Sequence, residues 1–134
     1  MNQFYPVNLD EIRDSESKLG IQIPELLKEF YVEVGYGFLK SKVDNINRIM
    51  DPESVLDFRL RQHDFEFYSD IEIYNQFEDD KLVFFEANEV ALLSIGFAAE
   101  NKGKIYYYDE EIAPNLVEFL ERLMEDDTFY YDLI

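Results

Sequence analysis

The apolar residues of this chain change their repeat along its length, and that change limits the folds open to it. Between residues 8 and 34 they return every three or four positions, the spacing of a helix face. Asn8 is a good N-cap with Glu11 three residues on, a capping-box spacing that predicts a helix from this point. Leu9, Ile12, Glu16 and Leu19 fall on nearly one face of it, and Gly20 supplies the stop. Pro24 opens a second helix at the first helical position, where its missing N–H costs nothing. Leu27, Phe30, Tyr31 and Val34 follow at i, i+3, i+4 and i+7, and Gly35 ends the run. Asp51 and Pro52 predict the cap and first residue of a third, shorter helix carrying Val55, Leu56 and Leu60.

The repeat then shortens to two. Phe65, Phe67, Ile71 and Ile73 alternate with Glu66, Asp70 and Glu72, which predicts a strand. Further strands are expected over Leu82 to Phe85, Val90 to Ile95 and Lys104 to Tyr108. Val90 to Ile95 is nearly all apolar, as a strand covered on both faces requires. Asn101 to Lys104 reads as a hairpin-type turn. The helical repeat returns from about Pro114 to Glu125, with Leu116, Phe119, Leu120 and Leu123 as its buried face. Helices, then strands, then a helix predict an α+β fold. We expect a mainly antiparallel sheet with N-terminal helices and a C-terminal helix packed on it. With no repeat, linker or low-complexity tract, residues 1–134 are expected to form one domain.

Charge narrows the function classes. Thirty acids against twelve Lys and Arg give a formal net charge of −18. Such a field repels phosphate backbones and anionic lipid surfaces, so nucleic acid and membrane are not expected partners. A basic protein is. The 47% of hydrophobic residues, including twelve Phe and ten Tyr, supplies a core despite the charge. The chain has no Cys, which excludes a disulfide framework and thiolate metal sites and favours a reducing compartment. Met1 to Pro6 has neither the basic nor the apolar region of a signal peptide, and no apolar run reaches membrane-span length. A cytoplasmic location is the expectation.

Little in the sequence points to catalysis. One histidine, His63, and no cysteine leave no pair for a nucleophile-and-base mechanism or a zinc site, and His63 reads as a solvated or hydrogen-bonded structural residue. Thirty acids produce close carboxylate pairs by chance, so a glycosidase-like pair has no specific signal. Asp79-Asp80 and Asp126-Asp127 offer hard oxygen ligands, but neither lies in a calcium-loop pattern. Gly35-Tyr36-Gly37 follows a helix and lacks a Walker lysine, so it is a helix stop and turn, not a phosphate cradle. The chain is expected to be no enzyme, with no catalytic residue, metal or cofactor.

The charge is also uneven. Residues 1–67 hold thirteen acids and eight bases, a net of −5; residues 68–134 hold seventeen and four, a net of −13. Between Gln62 and Asn101 ten acids face one base, Lys81, in the stretch read as sheet. Aromatic residues alternate with those acids. Carboxylates steer a partner's approach while aromatic anchors prolong its stay. The candidate partner-binding residues are therefore Asp64, Glu66, Tyr68, Asp70, Glu72, Tyr74, Asp79 and Asp80.

The run Ser17-Lys18-Leu19-Gly20-Ile21-Gln22-Ile23-Pro24-Glu25-Leu26-Leu27-Lys28-Glu29-Phe30-Tyr31 resembles the N-terminal signature of the SUKH superfamily, the Smi/Knr-type domain. There an amphipathic helix ends in Leu-Gly and a short turn leads through Pro to a helix bearing an aromatic. Gly35-Tyr36-Gly37 resembles the turn that follows, and Ala91-Leu92-Leu93-Ser94-Ile95-Gly96 the central strand. Gly103 into Ile105-Tyr106-Tyr107-Tyr108, then Phe119-Leu120-Glu121-Arg122-Leu123, are similar to the last strand and helix. Between Val43 and Glu89 the match is weak, and Phe97 to Asn101 departs from a stretch usually richer in Gly and Asp. The resemblance implies a bacterial immunity protein. It would be an antitoxin, monomeric or weakly dimeric, that binds a cognate polymorphic toxin, often a nuclease and so basic at its active site. The alternatives are an adaptor or regulator of the Smi/Knr type without a toxin, or an unrecognised enzyme or metal-binding protein. The family supplies no catalytic residues to carry over.

Overall fold

A computed structural model describes residues 3–39, 47–66, 71–87, 91–126 and 129–130. Seven strands are found among them: β1 (Gln3–Tyr5), β2 (Tyr36–Phe38), β3 (Arg48–Ile49), β4 (Lys81–Glu86), β5 (Leu92–Gly96), β6 (Ile105–Tyr107) and β7 (Glu110–Ala113). They lie in one sheet in sequence order, every neighbouring pair antiparallel. Helices α1 (Leu9–Leu19) and α2 (Glu25–Glu33) fill the β1–β2 connection, α3 (Pro52–Leu60) lies between β3 and β4, and α4 (Leu116–Glu125) follows β7. The fold is α+β with an antiparallel sheet, N-terminal helices and a C-terminal helix, as the changing repeat predicts.

The caps form where the local chemistry places them. The Asn8 side chain accepts the Glu11 N–H at 2.9 Å, and Gly20 closes α1 in the left-handed region at φ 69°. Asp51 accepts the Ser54 N–H at 3.3 Å and Pro52 is the first residue of α3. Pro24 sits one place earlier than its expected position, as the cap of α2. Gly35 is required: at φ 114° a Cβ there would sit 2.2 Å from the Tyr5 carbonyl oxygen, so β1 can pass only over a glycine.

The core lies along β4 and β5. All of β5 and five of the six residues of β4 are buried, so both faces of these strands are covered. From α4, Phe119 meets Phe84 and Phe85 edge-on at 6.1 and 5.1 Å. Tyr31 of α2 is wholly buried and its hydroxyl donates to the Met50 carbonyl at 2.5 Å, which fixes the chain just before α3. Tyr130 is wholly buried too, so the described part of the C-terminal tail docks on the body; 131–134 lie outside the described residues.

One expected strand is not there. His63–Phe65 and Ile71–Phe77 are 3-10 helices, and Phe67 lies outside the described residues. A 3-10 helix repeats every three residues. Tyr74 and Phe77, three apart, both meet the ring of Tyr108, at 5.6 and 5.4 Å, while Ile73 is 46% exposed. The alternation that suggested a strand is the accidental overlap of this spacing with acids on the wet side.

Candidate interaction surface

Among the described acids between Gln62 and β4, Asp64 and Glu72 lie in the 3-10 helices, Glu66 directly follows the first, and Glu78, Asp79 and Asp80 sit in the bend before β4, so none is on the sheet as the sequence suggested. Two arginines from the end of α3 hold this segment. Arg59 Nη1 donates to the carbonyls of Glu78 at 2.5 Å and Lys81 at 3.0 Å. Arg61 donates to both carboxylate oxygens of Glu78, at 3.2 and 3.1 Å, and to Asn75 Oδ1 at 2.6 Å. Behind them Tyr74 meets Phe58 edge-on at 5.8 Å and stacks on Tyr108. Tyr108 takes a positive φ of 55°, which a non-glycine residue holds only when its surroundings fix it.

This clamp consumes the positive charge. Glu78 is 8% exposed, and burial pushes its carboxyl above the usual range, against the lowering effect of Arg61 and Arg59. Lys81 is buried, with its Nζ 2.8 Å from Asp80 Oδ1 and 4.7 Å from the Tyr106 ring centre. The one base of the Gln62–Asn101 stretch therefore points inward, and the arginines of α3 are spent on carbonyls and on Glu78. Glu66, Glu72 and Asp79 are exposed, and among the described residues their side chains have no hydrogen-bond or ion-pair partner. The result is an outward field of carboxylates on a segment fixed from beneath.

The eight sequence-derived residues divide accordingly. Glu66, Glu72 and Asp79 are exposed and unpaired among the described residues; Asp80 is half-buried, bound to Lys81, and its carbonyl accepts from Asn101 Nδ2 at 3.3 Å and from the Phe97 N–H at 2.9 Å. Tyr74 is 6% exposed and supports the segment from within, so it offers no surface for an anchor. Tyr68, Asp70 and the side chain of Asp64 lie outside the described residues. Sequence reasoning gave Glu78 no separate role. Its partner Arg61 is seventeen positions away, and nothing local distinguishes it from Asp79. His63 is exposed, with Nδ1 2.9 Å from Asp57 Oδ1, the hydrogen-bonded structural role expected of it. Among the described residues no group of three or more His, Cys, Asp or Glu is arranged to hold a metal ion. No helix among them is long and apolar enough to cross a membrane.

The chain belongs to the SUKH family: the family profile described as SMI1-KNR4 cell-wall matches residues 9–120. The chain is similar to the protein named Immunity protein YxxD of Bacillus subtilis (strain 168). The two are 56% identical over 133 residues, which span 99% of this chain and 90% of the relative. No solved structure matches it.

Proposed function

We propose that this chain is an immunity protein: it binds a cognate toxin in the cytoplasm of the producing cell and blocks it, without catalysis or a cofactor. The observation that carries this reading is the identity of 56% along 99% of the chain to a protein named as an immunity protein. The electrostatics support one mode of action. Glu66, Glu72 and Asp79, with Asp80 beside them, face outward, and Asp64, Tyr68 and Asp70 belong to the same stretch. A toxin that acts on nucleic acid must hold phosphate, so its site is basic, and this acidic segment takes the place of the nucleic acid there. Charge sets the encounter rate and selects the partner, and buried apolar contacts set the lifetime.

The test is size-exclusion chromatography of the chain with the product of the adjacent gene, followed by association rates at low and high salt. The Debye length falls from about 10 Å at 0.1 M to about 3 Å at 1 M, so a steered association slows markedly over this range. A one-to-one complex with a salt-sensitive on-rate supports the reading. A complex whose on-rate ignores salt removes the steering role of the acids. No complex with that product removes the immunity function and favours an adaptor role.

A further inference from the structure

A second acidic feature lies on the other side of α3. Helices α1 and α3 pack side by side, and between them runs a groove of about 760 Å³. Two helix faces make its walls. Glu11, Asp14, Ser15 and Lys18 stand at i, i+3, i+4 and i+7 on α1; Glu53, Leu56, Asp57 and Leu60 repeat that spacing on α3. Such faces normally bury apolar stripes against each other, but these carry carboxylates at the mouth.

Ser15 gives the groove its chemistry. It lines the groove and is 6% exposed, and among the described residues its hydroxyl has no hydrogen-bond partner. A buried hydroxyl without a partner is costly, and a polar group that seats against it removes that cost. Five carboxylates line the same groove, from Glu11, Asp14, Asp51, Glu53 and Asp57. Among the lining residues Lys18 is the one fixed base, and it is tied to Asp14 at 3.1 Å. Asp51 is engaged at both oxygens, by the Ser54 N–H and hydroxyl and by Arg48, and Asp57 Oδ1 is held by Gln62 Nε2 and His63 Nδ1, each at 2.9 Å. Among the described residues the oxygens left open are Asp57 Oδ2 on α3 and Glu11 Oε2 and Asp14 Oδ1 on α1. Glu53 is exposed with no partner among the described residues.

These carboxylates are strung along two helices and do not converge on a point, so a bare metal ion finds no shell there. A guanidinium fits better. It is flat, weakly hydrated, and carries five N–H donors that carboxylates on two walls and a hydroxyl can share. Leu56 and Tyr36 offer apolar surface to the methylene stem. We infer that the α1–α3 groove is the seat of an arginine side chain projected by the protein partner. This rests on the immunity reading for the identity of the partner, though not for the chemistry of the groove.

The test has two arms on the intact protein. In the first, acetyl-Gly-Arg-Gly-amide is titrated into labelled protein, with the citrulline peptide, which keeps shape and loses charge, as control. Amide shifts clustered on Asp14, Ser15, Glu53 and Asp57 with the arginine peptide, and absent with citrulline, are expected. Ser15→Ala and Glu53→Gln, neither of which breaks a contact within the described structure, are each expected to weaken the peptide about fivefold, the effect of one hydrogen bond or charge contact. Shifts spread evenly over all acidic surfaces, or equal for citrulline, overturn the proposal. In the second arm the same variants are measured against the adjacent gene's product. A complex of unchanged affinity with both variants overturns the partner's use of the groove while leaving the immunity function intact. Failure of the parent protein to form any complex overturns the function instead, and the peptide titration alone then decides whether the groove takes a guanidinium.

Discussion

Replacing Tyr31 by Phe removes one oxygen atom from the centre of the molecule and tests how α3 is held in place. The Tyr31 hydroxyl is fully buried and donates to the Met50 carbonyl, while the Met50 N–H is already bonded to the Phe84 carbonyl at 2.8 Å. Met50 directly precedes Asp51, the cap of α3, so this bond ties α2 to the start of the helix that walls the groove and anchors the acidic segment. The ring stays, so the cavity term is small. The loss is one hydrogen bond plus a buried carbonyl left short of a partner, together about 1–3 kcal/mol. For a chain of this length that lowers the thermal midpoint by roughly 3–10 °C. Tyr5→Phe, at a ring 55% exposed, is the control and is expected to change neither quantity measurably.

The same substitution carries a pH signature with a fixed sign. Burial, reinforced by Asp51, holds the Tyr31 phenol far above its ordinary value of 10.0. A group whose folded value is raised gives stability that is fully present below its unfolded value and lost as pH climbs beyond it. The advantage of the parent over Tyr31→Phe therefore persists up to about pH 10 and shrinks above it. Denaturant melts by circular dichroism from pH 7 to 11 measure both effects. A Tyr31→Phe midpoint equal to that of the control, or a deficit that stays constant above pH 10, refutes the reasoning.

Further consequences follow from the same contacts. Gly35→Ala forces a Cβ onto the Tyr5 carbonyl at a positive φ, and is expected to cost about 2 kcal/mol or more in denaturant melts and to loosen amide protection of β1. Because desolvation raises the Glu78 carboxyl above its ordinary 4.5, the stability of the parent relative to Glu78→Gln declines as pH rises through the raised carboxylate range; a rising difference from pH 4 to 8 contradicts this. Asn101 is buried; its Oδ1 accepts the Ala98 N–H at 3.0 Å and its Nδ2 reaches the Asp80 carbonyl. Asn101→Ala is expected to cost about 1–3 kcal/mol and to speed amide exchange at Ala98, in the turn after β5.

What the sequence reveals depends on how local the cause is. Asn8, Gly20, Asp51 and Pro52 announce helix ends because a cap is made from residues three or four apart, and each end forms where expected. β4 and β5 are legible because long apolar runs demand cover on both faces. β1, β2 and β3 are two or three residues long, too short for a repeat to show, and form by pairing in series outward from β4. At 71–77 two periods overlap, and the 3-10 spacing of Tyr74 and Phe77 prevails because both rings find Tyr108. The acidic imbalance is visible in composition, but which acids are free is not. That is decided by Arg59 and Arg61, whose targets across this segment lie fourteen to twenty-two residues on. The groove is hidden for the same reason: α1 and α3 each read as a helix with its own stripe, and only their pairing brings Ser15 and Asp57 into one groove.

The most direct test of the immunity function is growth. Cells expressing the toxin encoded beside this gene are scored with and without the chain, and with a variant in which Glu66, Glu72 and Asp79 are changed to Gln, Gln and Asn. The parent is expected to restore growth, and the neutralised variant, folded to the same melting temperature, to restore it less. Cells that die equally with and without the parent contradict the claim that this protein neutralises that toxin.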